Sequence, residues 1–369
     1  MNELHIDKTH WKKYRFDEMV QNIAERVEPS QTDLDVYVGL EHIDPDCLHL
    51  SRHGHPSDVE GTKLRFYKGD IIFGRRRAYQ RKTALATTDG ICSAHAMVLR
   101  AKEDIVDPSF FPFLFHSKQF IDMAITISVG GLSPTINWKD ISKQEFLLPP
   151  KDEQKRLAEL LWAADEVVEK EKREKEKVEE LLETDCANSL GQCNNGQYES
   201  LNQSFIKISD VIAKERFEVG KLETEQYQSK GKYPIIDQSK TFIAGYSDLD
   251  DLVFKGSLPI IVFGDHTTIV KFVDFPFILG ADGTKIIKAN EGKVTTKFLL
   301  YAIKNLRIIP QGYRRHFSIL KELEIPSFSI SKQNECVARW DKLEELSNGI
   351  IQQIELSQQI KQELINKVF

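Results

Sequence analysis

The chain has 369 residues, which is more than one small domain needs and favours two domains. Its hydrophobic content of 41% and charged content of 29% are typical of a soluble globular protein, and no apolar run reaches the roughly 20 residues that span a bilayer. The formal net charge of −6 does not exclude a nucleic-acid partner, because residues 151–186 alone hold 8 Lys and Arg against 13 Asp and Glu.

The N-terminus and the cysteines indicate the compartment. The first residues, MNELHIDKTHWKK, contain no hydrophobic region of a signal peptide. The five cysteines have no CxxC spacing, which argues for reduced thiols and against zinc sites or disulfides: Cys47, Cys92, Cys186, Cys193 and Cys336. We therefore expect a cytoplasmic protein with no membrane segment.

Residues 1–150 predict a mixed α/β domain. Short β-rich runs such as GDIIFG (69–74) and HAMVLRA (95–101) alternate with turn residues, and the aromatic stretch SFFPFLFHSKQF (109–120) indicates a short helix. A glycine-rich loop, VGGLSPTIN (129–137), follows. Pro149-Pro150 then precede a change of character, since proline is tolerated at the start of a helix.

Residues 151–187 predict one long central helix. The segment is highly charged and lacks glycine and internal proline. Its apolar residues follow the 4,3 alternation of a coiled coil at Leu157, Leu161, Ala164, Val168, Val178 and Leu182. The polar, Asn- and Gln-rich residues 188–203 then predict a linker.

Residues 204–331 and 332–369 repeat this order as a second domain and a second helix. The runs LPIIVFG (258–264) and TKFLLYAIKNL (296–306) match the strand and the aromatic stretch of the first half. Phe146–Gln154 aligns with Ile325–Gln333, and Phe73-Gly74 aligns with Phe263-Gly264. The second helix has a similar stripe at Cys336, Trp340, Leu343, Ile350, Ile354, Leu364 and Val368. We expect an α+β internal repeat whose two helices pack together; the alternative is that each helix packs only on its own domain.

The sequence predicts no catalytic or metal-binding residue in this chain. It contains no GxxxxGK loop, no GxGxxG after a strand, no HExxH and no GxSxG. His53-Gly54-His55 lacks cysteine or carboxylate partners at zinc spacing. Asp265 beside His266 offers an acid–base pair, but a surface turn explains it equally well.

Basic and polar clusters in corresponding loops predict a nucleic-acid surface. Guanidinium groups pair bidentately with phosphates and guanine edges, while Ser, Thr, Asn and His contact other base edges. The first domain offers Arg52, His53, Arg75, Arg76, Arg77, Tyr79, Arg81, Lys82, Ser133, Thr135 and Asn137. The second domain offers His266, Thr267, Thr268, Lys271, Tyr313, Arg314, Arg315 and His316.

With these parts in order, the chain resembles the specificity subunit of type I restriction–modification systems along its whole length. The resemblance is carried by YVGLEHIDPDCLHLSRHG (37–54), KGDIIFGRRRAYQRK (68–82), YPIIDQSKTFIAGYSD (233–248), FPFILGADGTKIIKA (275–289) and INWKDISKQEFLLPPKDEQKRLAELLWAAD (136–165). The second helix junction, IPSFSISKQ, departs from the pattern because it lacks the double proline and the acidic pair.

The resemblance implies two target-recognition domains joined by two long antiparallel coiled-coil helices. Each domain would read one half of a bipartite site in double-stranded DNA, and the helices would set the unread gap. The chain itself would be non-catalytic and hold no cofactor. Its partners would be two adenine methyltransferase subunits, which use S-adenosylmethionine, and motor–nuclease subunits, which use ATP and Mg²⁺. Three alternatives stay open: a methylation-only complex, a coiled-coil scaffold that reads no DNA, and an enzyme with a non-standard site, which would require turnover by the isolated chain.

Overall fold

The computed structural model of the protein describes residues 6–194, 196–198, 204–214, 217, 220–280, 283–312 and 314–369. It forms two compact units, one comprising Met1–Lys172 with Gln352–Phe369 and the other Arg173–Ile351. The end of the chain therefore belongs to the same unit as its beginning. Among the described residues, no helix is long and apolar enough to cross a membrane.

The first unit surrounds an aromatic core with short strands and helices. Its helices are α1 (Phe16–Met19), α2 (Phe111–Leu114), α3 (Lys118–Thr126) and α4 (Trp138–Ile141). Its strands are β1 (Lys12–Arg15), β2 (Val20–Ile23), β3 (Arg26–Val27), β4 (Tyr37–Val38), β5 (Lys63–Phe66), β6 (Ile71–Gly74), β7 (Thr83–Leu85), β8 (Gly90–Cys92), β9 (Ala96–Ala101) and β10 (Glu145–Leu148). They pair in the orders β2-β9-β6-β7, β3-β5-β8-β4 and β1-β10.

Strand β6 separates two cores, which explains its unbroken apolar sequence. Because side chains alternate along a strand, Ile71 and Phe73 enter the larger aromatic cluster while Ile72 enters the smaller cluster on the other face. The predicted aromatic helix is present as α2 and α3, and the Ser117 hydroxyl begins α3 by accepting a hydrogen bond from the Phe120 amide at 3.2 Å. The loop that follows β6 is thus fixed on a fully buried strand.

The second unit repeats this plan. Its helices are α6 (Ile208–Val211), α7 (Thr296–Asn305) and α8 (His316–Glu322). Its strands are β11 (Cys193–Asn194), β12 (Gln197–Tyr198), β13 (Phe205–Lys207), β14 (Lys221–Leu222), β15 (Tyr233–Ile236), β16 (Gly245–Ser247), β17 (Ile260–Gly264), β18 (Val270–Val273), β19 (Ile278–Gly280), β20 (Thr284–Ile287) and β21 (Glu324–Pro326). They pair in the orders β18-β17-β20, β14-β19-β15-β16, β13-β21 and β11-β12.

The two predicted long helices are α5 (Lys151–Leu190) and α9 (Ile330–Val368). In the first unit Lys361 of α9 contacts Asp165 of α5, and in the second unit Arg339 contacts Asp185. Early residues of one helix therefore pair with late residues of the other, so the helices pack against each other and run antiparallel. Part of the stretch interpreted as a linker, residues 188–203, is ordered as the end of α5 and as β11 and β12; residues 195 and 199–203 lie outside the described set.

The apolar stripe of α5 differs in detail from the prediction. Leu161, Val168 and Val178 are buried as expected, whereas Leu157, Ala164 and Leu182 are only partly buried. The residues that follow Leu157 and Ala164 are buried in their place, and these residues, Ala158 and Asp165, complete the 4,3 alternation. The seam, by which we mean the buried stripe of α5, therefore contains a carboxylate at Asp165.

One pair of glutamines confirms the internal repeat. Gln154 accepts a hydrogen bond from the Asp107 amide at 2.7 Å and donates to the Ile105 and Pro149 carbonyls at 3.1 and 2.9 Å. At the aligned position, Gln333 accepts from the Thr295 amide at 2.8 Å and donates to the Lys293 and Phe328 carbonyls, both at 2.9 Å. Each long helix is thus joined to its own domain by the same three hydrogen bonds.

Candidate nucleic-acid interface

The structure brings the two predicted clusters of the first domain together. The hairpin between β6 and β7 forms one loop, residues 75–82, which we call the arginine loop, and residues 128–137 form the other. The amide of Ile136 donates to the Arg75 carbonyl at 3.0 Å, and the amide of Arg77 donates to the Pro134 carbonyl at 2.7 Å. Arg77 turns the chain with a φ of 56°, in the left-handed region. These backbone contacts fix Arg75–Arg77 beside Ser133 and Thr135.

The three arginines Arg75–Arg77 are not neutralised by carboxylates in the part of the chain that the structure describes. Arg76 and Arg77 both donate to the Ser133 hydroxyl, at 3.2 Å and 3.1 Å, and Arg75 donates to the Ala94 carbonyl at 3.3 Å. Within the described ranges, none of the three guanidinium groups forms an ion pair with a carboxylate. Their partners are neutral oxygens and one imidazole, so the positive charge of the loop is oriented but not cancelled.

His95 is a member of this site that the sequence reasoning missed. Its Nε2 atom lies 3.3 Å from a terminal nitrogen of Arg76. Burial lowers the pKa of His95, and the nearby Arg76 and Arg75 lower it further, so the ring is neutral at pH 7 and accepts from Arg76. His95 lies next to the arginine loop because Gly74, at the end of β6, pairs with Ala96, at the start of β9.

The side chains of Arg81 and Lys82 stabilise the fold of the first unit. Arg81 donates to Asp46 at 2.5 Å, to the His116 carbonyl at 3.1 Å and to the Gln362 side chain of α9 at 3.2 Å. Lys82 donates to the Leu40 carbonyl at 2.5 Å. Since these contacts occupy both side chains, we remove them from the candidate DNA-facing set.

The remaining predicted residues of the first domain are on the surface. Tyr79 is half exposed and Asn137 is exposed, while Thr135 is partly buried. Arg52 and His53 lie in a separate exposed loop, where Arg52 forms an ion pair with Asp44 and His53 contacts the Gly54 carbonyl. Arg52 therefore offers less free charge than Arg75–Arg77.

The second domain builds an equivalent pair of loops. The hairpin between β17 and β18 forms the first of these loops, residues 265–269, in which Thr268 has a φ of 60°. The second loop lies between α7 and α8. The His316 amide donates to the Asp265 carbonyl at 2.9 Å, which corresponds to the bond from Ile136 to Arg75 in the first domain. Arg314 and Arg315 are exposed, and His266 is partly exposed. Tyr313 lies outside the described residues.

Two predicted residues of the second domain are interior. His316 is buried; its Nδ1 donates to the Asp265 carbonyl at 2.9 Å and its Nε2 accepts from the Gln311 amide at 3.0 Å. Lys271 is also buried, donates to the Thr241 carbonyl at 2.6 Å and lies 3.7 Å from Asp237. Burial lowers the pKa of Lys271. We remove both from the candidate DNA-facing set.

The other polar residues of this loop act locally. Thr267 donates to the Gln238 carbonyl at 2.8 Å and Thr268 donates to the Ile308 carbonyl at 3.0 Å. The buried carboxylate of Asp265 accepts from the Phe317 amide at 2.8 Å, so its hydrogen bond holds the start of α8. This arrangement favours the surface-turn interpretation of Asp265 and His266 over an acid–base pair.

Known proteins resemble this chain in sequence and in fold. A family model of the type I restriction modification DNA specificity domain matches residues 57–180, which include the arginine loop and most of α5. This segment is therefore similar to that family. The chain is also 28% identical over 174 residues to the type I restriction enzyme EcoDI specificity subunit of Escherichia coli. That match covers 46% of this chain and 38% of the relative, so it spans well under half of the relative's length.

Solved structures extend the likeness to both units. The S subunit of a type I restriction–modification system from M. genitalium superposes with a TM-score of 0.60 at 16% identity, covering 99% of this chain and 98% of that one. A chain from a type I R-M system studied for complex assembly and conformational transition gives a TM-score of 0.55 at 17% identity, covering 97% of each chain. Identities this low concern the fold alone. The family model and the E. coli relative confirm the resemblance to type I specificity subunits that the sequence indicates, and the solved structures extend the shared fold to the whole chain.

Proposed function

We propose that this chain is the specificity subunit of a type I restriction–modification complex and reads a bipartite site in double-stranded DNA. One half-site is read by the domain of the first unit and the other by the domain of the second. The observation that carries the proposal is the group Arg75–Arg77, whose three guanidinium groups are aimed by neutral partners. The equivalent loops of the second domain, with exposed Arg314 and Arg315, support the same role twice.

The chemistry of these side chains matches DNA better than it matches protein. A guanidinium group pairs bidentately with O6 and N7 of guanine or with a phosphate, and Ser, Thr and Asn side chains contact other base edges. Unneutralised cations release counterions when they bind phosphates, so affinity falls steeply with salt. We assign Arg75–Arg77, Tyr79, Ser133, Thr135 and Asn137 to the first DNA-facing surface, and His266, Arg314 and Arg315 to the second.

Catalysis is assigned to partners. Methylation of adenine in a duplex requires the base to be flipped from the stack into a pocket that holds the methyl donor. In this proposal two adenine methyltransferase subunits bring S-adenosylmethionine, motor–nuclease subunits bring ATP and Mg²⁺, and this cytoplasmic chain supplies the sequence reading.

An apolar surface of the helices supports protein partners. In the second unit, Leu181 of α5 and Leu346 of α9 are 58% and 52% exposed. Together with Leu343 they line a cavity of about 680 Å³ along the helix pair. Exposed apolar surface of this kind marks protein–protein contacts, and we propose that a methyltransferase subunit covers it. This surface is also what a coiled-coil scaffold needs, and only the arginine loops distinguish the two functions.

The proposal is tested by sequencing N6-methyladenine in cells that carry the chain and its partner methyltransferase. A bipartite methylated motif that disappears on deletion of this chain is the expected result. The double variant R76A/R77A should abolish methylation of that motif. The matched control is K68A, because exposed Lys68 precedes β6 and so lies at the opposite end of that strand from the arginine loop. A methylome unchanged by the deletion, with an active partner, would leave the scaffold as the better account.

A further inference from the structure

One apolar side chain stands out beside the arginine loop. Leu132 is 96% exposed, and the other exposed large hydrophobic side chains of the described residues reach at most 58%. It lies at the tip of the loop 128–137, between Gly131 and Ser133. Loop tips are ordinarily polar, because an apolar side chain in water gains nothing from its exposure.

The tip is held in place on both sides. Val129 and Thr135 exchange two backbone hydrogen bonds, at 3.0 and 2.9 Å, so the loop closes as a small hairpin. Gly130, with a φ of 113°, makes the turn that an L-residue would resist. Arg76 and Arg77 both bind the Ser133 hydroxyl, next to Leu132. The leucine is therefore presented by a braced loop, one residue from the hydroxyl group that Arg76 and Arg77 bind.

This combination matches one base in particular. In the major groove, guanine offers O6 and N7 to an arginine, and thymine alone offers a methyl group to an apolar side chain. Phosphates offer a leucine nothing. We propose that Leu132 contacts the C5-methyl group of a thymine in the half-site read by the first domain. This inference rests on the proposed function and adds one specificity-determining residue to it.

The second domain provides an internal control. The amides of Ile136 and His316 form equivalent backbone hydrogen bonds in the two domains. Leu132 and Gly312 each lie four residues before these amides, so Leu132 corresponds to Gly312. Gly312 has a φ of 57° and no side chain to offer a base. The Leu132 contact is thus specific to the first half-site, and thymines of the second half-site are not read by this position.

The experiment replaces single thymines by deoxyuridine, which pairs identically but lacks the methyl group. The complex of this chain with its methyltransferase partner is titrated with duplexes of the methylated motif, each with one substitution, on either strand. We expect one position of the first half-site at which the affinity falls about fourfold, the contribution of one buried methyl group. The variant L132A should bind the thymine duplex more weakly and show no difference between thymine and uracil there.

The matched control is L160A, the same substitution in the first unit on the exposed side of α5, where Leu160 is 42% exposed. It should keep the fourfold ratio whatever it does to affinity. The inference is overturned if no uracil substitution in the first half-site changes affinity, if that half-site contains no thymine, or if L132A loses affinity equally for both bases. In each case the proposed function stands, since specific binding persists. A complex with no sequence-specific binding would overturn the proposed function and the inference together.

Discussion

Replacing Asp165 by alanine should destabilise the first unit far more than a surface substitution does. The Asp165 side chain is 2% exposed and its partner, the Lys361 side chain, is 8% exposed, with 3.1 Å between the carboxylate and the ammonium group. The second carboxylate oxygen lies 2.5 Å from Nε2 of His49. Removing the carboxylate leaves the Lys361 ammonium group buried without its counter-charge, which costs about 3–5 kcal/mol of unfolding free energy.

The same physics predicts a different result when both charges are removed. In D165L/K361L both buried charges are removed, and apolar side chains of similar volume replace the pair. His49 loses its partner but is 42% exposed, so water can replace the Asp165 oxygen. Such replacements are neutral or stabilise by about 1–4 kcal/mol. The matched control is D122A, which breaks the ion pair between Lys118 and Asp122 of α3, side chains that are 73% and 58% exposed. It should cost no more than about 0.5 kcal/mol.

The measurement is urea unfolding of the full chain, followed by the fluorescence of tryptophans in the first unit. Trp162 is the natural probe, because its ring lies 6.2 Å from that of His49. The unfolding midpoint should fall sharply for D165A and recover in D165L/K361L. A loss of under about 1 kcal/mol in D165A, or a double variant as unstable as the sum of the single ones, would refute the reasoning.

Three further outcomes are expected. The hydrogen bond that His49 donates to the Asp165 carboxylate raises the pKa of His49. The stability that His49 contributes is therefore complete below about pH 6.5 and is lost as pH rises through its folded-state pKa. H49Q should lack this loss in urea midpoints measured from about pH 6 to 9. Burial lowers the pKa of His116 to about 4, so stability should fall from about pH 6.5 towards pH 4. H116F should flatten that decline in urea midpoints, and a decline as steep as in the unmodified chain would contradict the assignment to His116. Q154L should destabilise by about 1–3 kcal/mol for each buried partner it strands, such as the Asp107 amide, and an unchanged melting temperature would contradict this.

Much of the architecture could be predicted from the sequence because it depends on local periodicity. The strand at 71–74 is apolar throughout and flanked by turns, and the segment after Pro150 has no residue that breaks a helix. The offset between Gln154 and Gln333 even located two equivalent residues. The hairpin loops follow directly, since a loop between two recognisable strands has nowhere else to lie.

The burial of charged residues could not be predicted from the sequence. Asp165 and Lys361 belong to helices far apart in the chain, and either one alone resembles a solvated charge. Lys271 is similar: in the strand Val270–Val273, Lys271 and Val273 lie on the buried face while Val270 and Phe272 are partly exposed, so the lysine enters the interior. The same limit applies to His316 and His95, whose roles depend on neighbours that only the folded chain supplies.

The return of the chain to its first unit has a consequence for synthesis. Ile365 and Val368 are fully buried in the aromatic core of that unit, and the ring of Phe369 lies 4.8 Å from that of Phe110. A ribosome that has translated only as far as residue 351 therefore carries a first unit whose apolar core is still open to solvent. Until residues 352–369 emerge from the ribosome, that unit stays incompletely folded and exposes apolar surface that chaperones and proteases recognise. A premature stop codon in α9 would consequently disable the domain encoded first in the gene.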